Sequence, residues 1–413
     1  MRGGRRRLFK PSFDLPPSSA AALFTLEDLE IAYQWIFKLR KKYSHNSDIW
    51  EICRTWNQIK YSLLEHLNEG SYQFSALERL EFKDGILSLW TSQDMIALKL
   101  ITQALESRIG FAIPKSCYHV KDHGGLKHAV RETHGALPHH HFVMRSDIKS
   151  YYQSIDFNSL MSIIETYIKH PVLLTLISKA CRRTETRGGI FYDYHERGIP
   201  KGSPLSPLLG AIALMPLDQE MGRIKDIFYA RFMDDWVVLT KSKTALRKVI
   251  KRTHQIVSSQ KLHLHPMKTY IGKISHGLNF LGYYFDDKKI LPAKETIRRF
   301  HERAAALYER PQKNITSQRY LKSLNTRDIS LYQVDEPAPK DEDFKNILFP
   351  LLAASKQPER LKRLRKYVDQ WTCWLKLGLT MMKELETCVR AFLPSLFLHW
   401  SSGGQSFSSG VSR

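Results

Sequence analysis

Two adjacent carboxylates, Asp234 and Asp235, lie in the middle of an aromatic and β-branched stretch that spans residues 227–240. Runs of this composition favour β-strands, so the stretch predicts two short strands joined by a tight turn at Met233, Asp234 and Asp235. Two neighbouring anions repel each other unless a cation neutralises them, and carboxylate oxygens suit Mg²⁺. Taken alone, however, an Asp-Asp pair at a turn is more typical of a solvated loop.

Two further stretches change this interpretation. Residues 142–150 predict another strand, on which Asp147 lies, and residues 198–207 form a loop rich in glycine, proline and serine. In this order the three stretches resemble the catalytic motifs of reverse transcriptases, and residues 232–235 (Phe-Met-Asp-Asp) resemble the Tyr-x-Asp-Asp box of that family. The resemblance spans residues 67–285 with recognisable motifs.

The resemblance implies an α+β fold of the right-hand polymerase type, with fingers, a palm built on an antiparallel sheet and a helical thumb. We expect the chain to divide into a basic arm (1–24), N-terminal helices and fingers (25–141), a palm (142–290) with a fingers insertion (158–197), a helical thumb or C-terminal domain (291–400) and a disordered tail (401–413).

Local patterns predict several elements independently of the resemblance. Thr25 followed by Asp28 indicates a helix start, and Gly70 indicates a helix end. Apolar periodicity and the turn residues at 84–85 predict helices over residues 48–67, 94–109, 208–221 and 243–258, and a hairpin over residues 82–90.

The resemblance also implies RNA-directed DNA synthesis with two Mg²⁺ ions, or with Mn²⁺ in their place. Asp147 and Asp234 would hold both ions with Asp235 in support, and Ile148 completes the predicted metal set. One ion would activate the primer 3′-hydroxyl and the other would steady the triphosphate. Lys268 occupies the position of the family's proposed proton donor to pyrophosphate; an ordinary surface lysine is the alternative.

Five residues are expected to contact the substrate. Tyr152 lies five residues after Asp147, where the family has its sugar-gate aromatic, and a glycine in the 198–207 loop lets a bound strand approach closely. A basic segment of the fingers would face the incoming nucleotide and the template. The predicted substrate-binding residues are Tyr152, Lys201, Gly202, Lys121 and Phe232.

Lys201 departs from the family pattern, which has glutamine at this position. Glutamine both donates and accepts hydrogen bonds, whereas lysine only donates and carries a charge. One hypothesis is that the enzyme reads its template less conventionally and produces low-fidelity or low-complexity DNA. The alternative is a tolerated substitution in which the lysine reaches the triphosphate.

The composition points to a nucleic-acid partner. Lys and Arg number 63 against 41 acidic residues, a formal charge of +22 that suits a polyanion. The five cysteines are dispersed without a Cys-x-x-Cys pair, and no apolar run reaches the ~20 residues of a membrane span. We therefore expect a cytoplasmic protein without a membrane partner. Its expected partners are an RNA template or non-coding RNA, the DNA product, deoxynucleotides, and a second copy or a partner reverse transcriptase.

Seven histidines crowd residues 119–141, but their irregular spacing does not match a zinc site, so solvated or phosphate-facing side chains explain them better.

Three alternatives for the type of protein stay open. The patterns at residues 90–94 and 119–125 resemble stand-alone bacterial reverse transcriptases of the unknown-group, defence-associated kind, which act against phage with a non-coding RNA. A group II intron maturase-type enzyme is the second, although the cysteine pairs of an HNH nuclease are missing after Trp400. A non-catalytic RNA-binding scaffold is the third, and the intact Asp147, Asp234 and Asp235 argue against it.

Overall fold

The computed structural model of the chain describes residues 22–82, 85–192, 197–285 and 290–309, with seven further residues between 363 and 374. Most of the predicted basic arm, most of the predicted thumb and the predicted tail lie outside these residues. The described part mixes helices and sheets, as the α+β prediction requires.

The helices form where apolar periodicity coincides with capping residues. The Thr25 and Asp28 side chains form the predicted capping box, and Gly70, at φ 73°, ends the second helix. The helices are α1 (Leu26–Arg40), α2 (Asp48–Glu69), α3 (Ser92–Ile109), α4 (Gly125–Ala136), α5 (Tyr151–Ser154), α6 (Phe157–Tyr167), α7 (Pro171–Cys181), α8 (Ser206–Ala213), α9 (Met215–Arg223), α10 (Lys243–Ser259) and α11 (Lys294–Glu309).

The strands in the described ranges form three sheets. Their orders are β2-β1-β4-β5, β6-β7-β3-β8 and β11-β10-β9. The strands are β1 (Leu77–Phe82), β2 (Gly85–Leu89), β3 (Phe142–Ser146), β4 (Glu185–Arg187), β5 (Ile190–Tyr192), β6 (Ile227–Phe232), β7 (Asp235–Thr240), β8 (Tyr270–Lys273), β9 (Leu278–Phe280), β10 (Tyr283–Phe285) and β11 (Ile290–Pro292).

The antiparallel sheet β6-β7-β3-β8, the central sheet, is covered on both faces. Every residue of β7 is buried. Because successive side chains of a strand point to opposite faces, Trp236 and Val238 join one apolar cluster while Val237 and Leu239 join another. Both faces of the central sheet are therefore apolar, and the end of the hairpin β6–β7 carries the carboxylates.

One predicted helix is broken in two. The pattern over residues 208–221 predicts a single helix, but α8 ends at Ala213 and α9 begins at Met215. Pro216 lies in the first turn of α9, where the missing N–H costs nothing, whereas within one continuous helix it would remove a hydrogen bond and clash with the preceding turn. The prediction of one helix was therefore wrong.

The strand predicted over residues 142–150 is shorter than expected, because β3 ends at Ser146. Beyond that point the chain pairs with a different segment: the carbonyl oxygen of Asp147 accepts a hydrogen bond from the N–H of His265 at 2.8 Å. Asp147 thus lies just past the strand end and not on the strand.

A buried ion pair ties the central sheet to α9. Arg231 of β6 and Asp218 of α9 are both fully buried. Arg231 Nε donates to Asp218 Oδ1 at 2.6 Å, and the Tyr229 hydroxyl donates to the same oxygen at 2.7 Å. A guanidinium without water is tolerated only with such a partner, so Asp218 fixes the position of Arg231.

Asp218→Ala should lower the free energy of unfolding by about 3–5 kcal/mol, because Arg231 would keep a buried charge without its partner. Glu220→Ala is the matched control on the same helix: its ion pairs with Arg223 and Arg252 involve exposed arginines and should contribute at most about 1 kcal/mol. Chemical denaturation of both variants measures the difference. Equal losses would contradict the special role of the buried pair.

No helix within the described ranges is both long and apolar enough to cross a membrane.

Candidate active site

The carboxylates meet at a two-residue turn between β6 and β7. Phe232 pairs with Asp235, so the turn consists of Met233 and Asp234 and not of three residues as predicted. Met233 has a φ of 59°, the left-handed region that residues other than glycine seldom adopt. Its conformation is fixed from both sides: its N–H donates to His119 Nδ1 at 2.9 Å, and its carbonyl oxygen accepts from Arg231 Nη1 at 2.7 Å.

Asp147 enters the site from the end of β3. Asp147 is 4% exposed. Its side chain pairs with Lys268, whose Nζ lies 3.0 Å from Asp147 Oδ2. Lys268 is also 4% exposed and ends a short 3₁₀ helix, Pro266–Lys268. The alternative of a plain surface lysine is therefore wrong, and Lys268 lies in contact with a predicted catalytic carboxylate.

Asp235, in contrast, forms an ion pair within the central sheet. Arg145 of β3 donates to both of its oxygens, from Nε and from Nη2, each at 3.0 Å. Such a bidentate pair fixes the carboxylate geometry as well as its charge. Asp235 is thus oriented by Arg145, and a direct metal contact from Asp235 stays a prediction.

The electrostatics of the pair Asp147 and Asp234 favour a bound cation. Burial, followed by the charge of Asp147, raises the pKa of Asp234 to about 7, and Lys268 only partly opposes this. Burial also raises the pKa of Asp147 in spite of its pairing with Lys268. The charge of Asp147 thus makes the charged form of Asp234 less favourable, and the charge of Asp235 acts in the same direction on Asp147, as expected for like charges in a low-dielectric site.

The donor set fits a hard divalent cation, which takes carboxylate oxygens and completes its coordination with water and substrate phosphates. Within the part of the chain that the structure describes, no group of three or more His, Cys, Asp or Glu side chains has metal-site spacing. Asp147 and Asp234 are the residues that would hold an ion here, and the role of Ile148 beside them stays a prediction.

The predicted substrate-binding residues fall into two groups. Two of them lie against the turn: the Tyr152 hydroxyl is 3.5 Å from Met233 Sδ, and the Phe232 ring lies edge-on to the His119 ring at 5.8 Å between centroids. The others are Lys201, Gly202 and Lys121, which lie on loops.

The loop that contains Lys201 and Gly202 packs on the end of the β1–β2 hairpin. Lys201 is exposed, and its carbonyl oxygen accepts from Trp90 Nε1 at 3.2 Å. Gly202 has a φ of 80°, and a Cβ there would lie 3.3 Å from the carbonyl oxygen of Ser88. Glycine is thus required by the backbone at this position.

Two histidines contradict the expectation of solvated or phosphate-facing side chains. His119 holds the turn as described, and burial together with the charge of Arg231 lowers its pKa to about 3. His123 is buried and its Nδ1 lies 3.0 Å from the carbonyl oxygen of Cys117. Both histidines therefore have structural contacts inside the protein.

The sequence interpretation missed the residues that position the carboxylates. Arg145 and Arg231 interrupt apolar strand patterns, and a charge within a buried strand indicates a buried partner. That signal was available in the sequence. The partner Asp218 was not identifiable, because nothing local distinguishes it from a surface acid on a helix.

Two comparisons relate this chain to known proteins. Residues 87–285 match the family model described as reverse transcriptase (RNA-dependent DNA polymerase). Among curated proteins, Protein YkfC of Escherichia coli (strain K12) is 25% identical over 304 residues, which cover 59% of this chain and 77% of that protein. These two similarities support a bacterial reverse transcriptase, and a domain of this kind implies the right-hand polymerase fold. All three carboxylates and Lys268 lie within the matched residues.

The affinity of the site for Mn²⁺ should fall as the pH drops below about 7. With the pKa of Asp234 raised to about 7, its carboxylate is increasingly protonated below that pH, and the proton competes with the cation. One competing proton reduces the affinity about tenfold between pH 8 and pH 6. Calorimetric titration of the full chain with Mn²⁺ measures this. Asp234→Asn should bind weakly at both pH values, and a wild-type affinity that does not change with pH would contradict the assignment.

Proposed function

We propose that this protein is an RNA-directed DNA polymerase that adds deoxynucleotides by two-metal phosphoryl transfer, with Asp147 and Asp234 as the metal-binding residues. The observation that carries the proposal is the juxtaposition of the buried Asp147 carboxylate with the partly buried Asp234 carboxylate at the β6–β7 turn, inside the residues that match the reverse transcriptase model. Bound ions would activate the primer 3′-hydroxyl and neutralise charge on the triphosphate.

The residues of the chain then take distinct roles. Asp147 and Asp234 provide oxygen ligands, and Asp235 supports the turn through Arg145. Lys268 Nζ donates to Asp147 Oδ2 at 3.0 Å. Once the charge of Asp147 is otherwise neutralised, the Lys268 ammonium becomes available to protonate the leaving pyrophosphate. This is general acid catalysis by a buried, positioned lysine.

Asp147→Asn and Asp234→Asn should each reduce primer extension on a defined RNA template by at least about 100-fold, because each removes charge stabilisation of the transition state. Asp226→Asn is the matched control, since Asp226 directly precedes β6 and is exposed. Melting temperatures exclude unfolding as the cause, in particular for Asp147→Asn, which removes the ion pair between Asp147 and Lys268. Retention of most activity in the Asp147/Asp234 double variant would contradict the proposal.

Tyr152 is proposed to be the residue that excludes ribonucleotides. Its ring packs beside the turn, near Gly210 and Met233, so a sugar placed over the carboxylates would meet it. Tyr152→Ala should raise the ratio of ribonucleotide to deoxynucleotide incorporation by about tenfold or more, as expected when a steric block worth about 1.4 kcal/mol is removed. Tyr152→Phe keeps the ring and should keep the selectivity. An unchanged ratio in Tyr152→Ala would place the gate on another residue.

For the type of reverse transcriptase we propose the stand-alone, defence-associated kind that works with a non-coding RNA. The support is the sequence pattern of residues 90–94 and 119–125, together with the charge of +22. Two residues of this pattern have structural contacts. Trp90 supports the Lys201 loop, and the buried Asp94 accepts a hydrogen bond from the Tyr72 hydroxyl at 2.7 Å. A maturase-type enzyme is the alternative within the class.

Metal-dependent nucleotide incorporation by the purified chain separates the polymerase from a non-catalytic RNA-binding scaffold. A polymerase extends a primer only with a divalent ion, whereas a scaffold binds RNA and incorporates nothing. Sequencing the nucleic acid that is bound to the purified protein identifies the template and the product in the same preparation.

A further inference from the structure

Both main-chain hydrogen-bonding groups of Met233 are bound by side chains that have no place in the proposed chemistry. The N–H donates to His119 Nδ1 at 2.9 Å, and the carbonyl oxygen accepts from Arg231 Nη1 at 2.7 Å. Arg231 is itself fixed by Asp218 and by the carbonyl oxygen of Ala211. Met233 adopts a φ of 59° directly before Asp234, so these contacts determine where the Asp234 carboxylate points.

The hydrogen bonds of His119 define its tautomer. Because Nδ1 accepts from Met233, the proton lies on Nε2, which donates to the carbonyl oxygen of Pro207 at 3.2 Å. The ring also lies edge-on to Phe232. His119 therefore connects the start of α8 to the turn between β6 and β7 through a neutral imidazole.

His119 lies at the turn because the residues before it pair with β6. The N–H of Arg231 donates to the carbonyl oxygen of Ser116, and the N–H of Tyr118 donates to the carbonyl oxygen of Arg231, both at 2.8 Å. This short parallel pairing, centred on Cys117, runs alongside the strand that ends at the turn. A lysine or arginine in place of His119 could not accept the Met233 N–H and would repel Arg231.

We propose that His119 is a positioning residue for Asp234. Its Nδ1 holds Met233 in the left-handed conformation that the two-residue turn requires, and this keeps the Asp234 carboxylate beside Asp147 for the divalent cation. The inference rests on the proposed function, because it assigns His119 to the metal-binding step of that reaction. Without the acceptor, the Met233 N–H loses its partner, and the strained φ is free to relax.

Two substitutions separate this role from general stability. In His119→Asn the side-chain oxygen takes the place of Nδ1 and can still accept from Met233, while the contact with Pro207 is lost. In His119→Gln the amide nitrogen takes the place of Nε2 and can still reach Pro207, while the acceptor for Met233 is lost. His119→Asn removes the hydrogen bond to Pro207, and His119→Gln removes the one to Met233 together with the weak Cys117 Sγ contact of Nδ1 at 3.5 Å, so a merely structural histidine would tolerate the two variants about equally.

The experiment measures Mn²⁺ binding to the full chain by electron paramagnetic resonance, and the Mg²⁺ concentration for half-maximal primer extension. For His119→Gln we expect the Mn²⁺ dissociation constant and the Mg²⁺ concentration for half-maximal extension each to rise about tenfold. This is the effect of losing a hydrogen bond worth about 1.4 kcal/mol. His119→Asn should stay within about threefold of the wild type. His139→Gln is the control, since His139 is exposed in the short helix Leu137–His139.

Unchanged constants in His119→Gln would overturn the proposal. Equal weakening in both variants, together with equal losses in melting temperature, would also overturn it and assign His119 to stability alone. If the wild type incorporates no nucleotide under any divalent ion, the proposed polymerase function fails. The Mn²⁺ measurement, which requires no catalysis, still decides whether His119 positions the site.

Discussion

The buried ion pair between Arg231 and Asp218 is the constraint on which the site depends. A guanidinium inside an apolar sheet needs all of its charge compensated, and Asp218 on α9 provides that compensation. The orientation that results leaves one Arg231 nitrogen aimed at the carbonyl oxygen of Met233. One interaction thus joins helix to sheet and also fixes the turn that carries Asp234, so the stability of the fold and the geometry of the site have a common origin.

The charges around the turn explain why a cation belongs there. Asp235 is compensated by Arg145 and Asp147 by Lys268. Asp234 lies beside both acids, and the pKa of its carboxyl is raised to about 7 by burial and by Asp147. The protein thus places one negative charge more than its nearby cations offset. A divalent ion would offset this charge and leave a positive charge for the phosphates of a bound substrate, as the proposed polymerase reaction requires.

The elements of the fold that depend on local pattern can be predicted from the sequence. The hairpin β6–β7 with Asp234 at its turn follows from residue types and their order, whereas the role of Lys268 depends on the family resemblance and stays a prediction. The end of β3 at Ser146 did not follow, because it depends on a pairing with His265 that is distant in the chain. His119 was likewise hidden among other histidines, since its role depends on a turn that lies 114 residues away.

The most direct test is a crystal structure of the full chain with a primer–template duplex, a non-hydrolysable deoxynucleotide and Mn²⁺, with the ions located by anomalous scattering. We expect Mn²⁺ peaks bound by carboxylate oxygens of Asp147 and Asp234, with Met233 still in its left-handed conformation and Asp235 still paired with Arg145. Mn²⁺ bound elsewhere, with the two carboxylates turned away from each other, would contradict it.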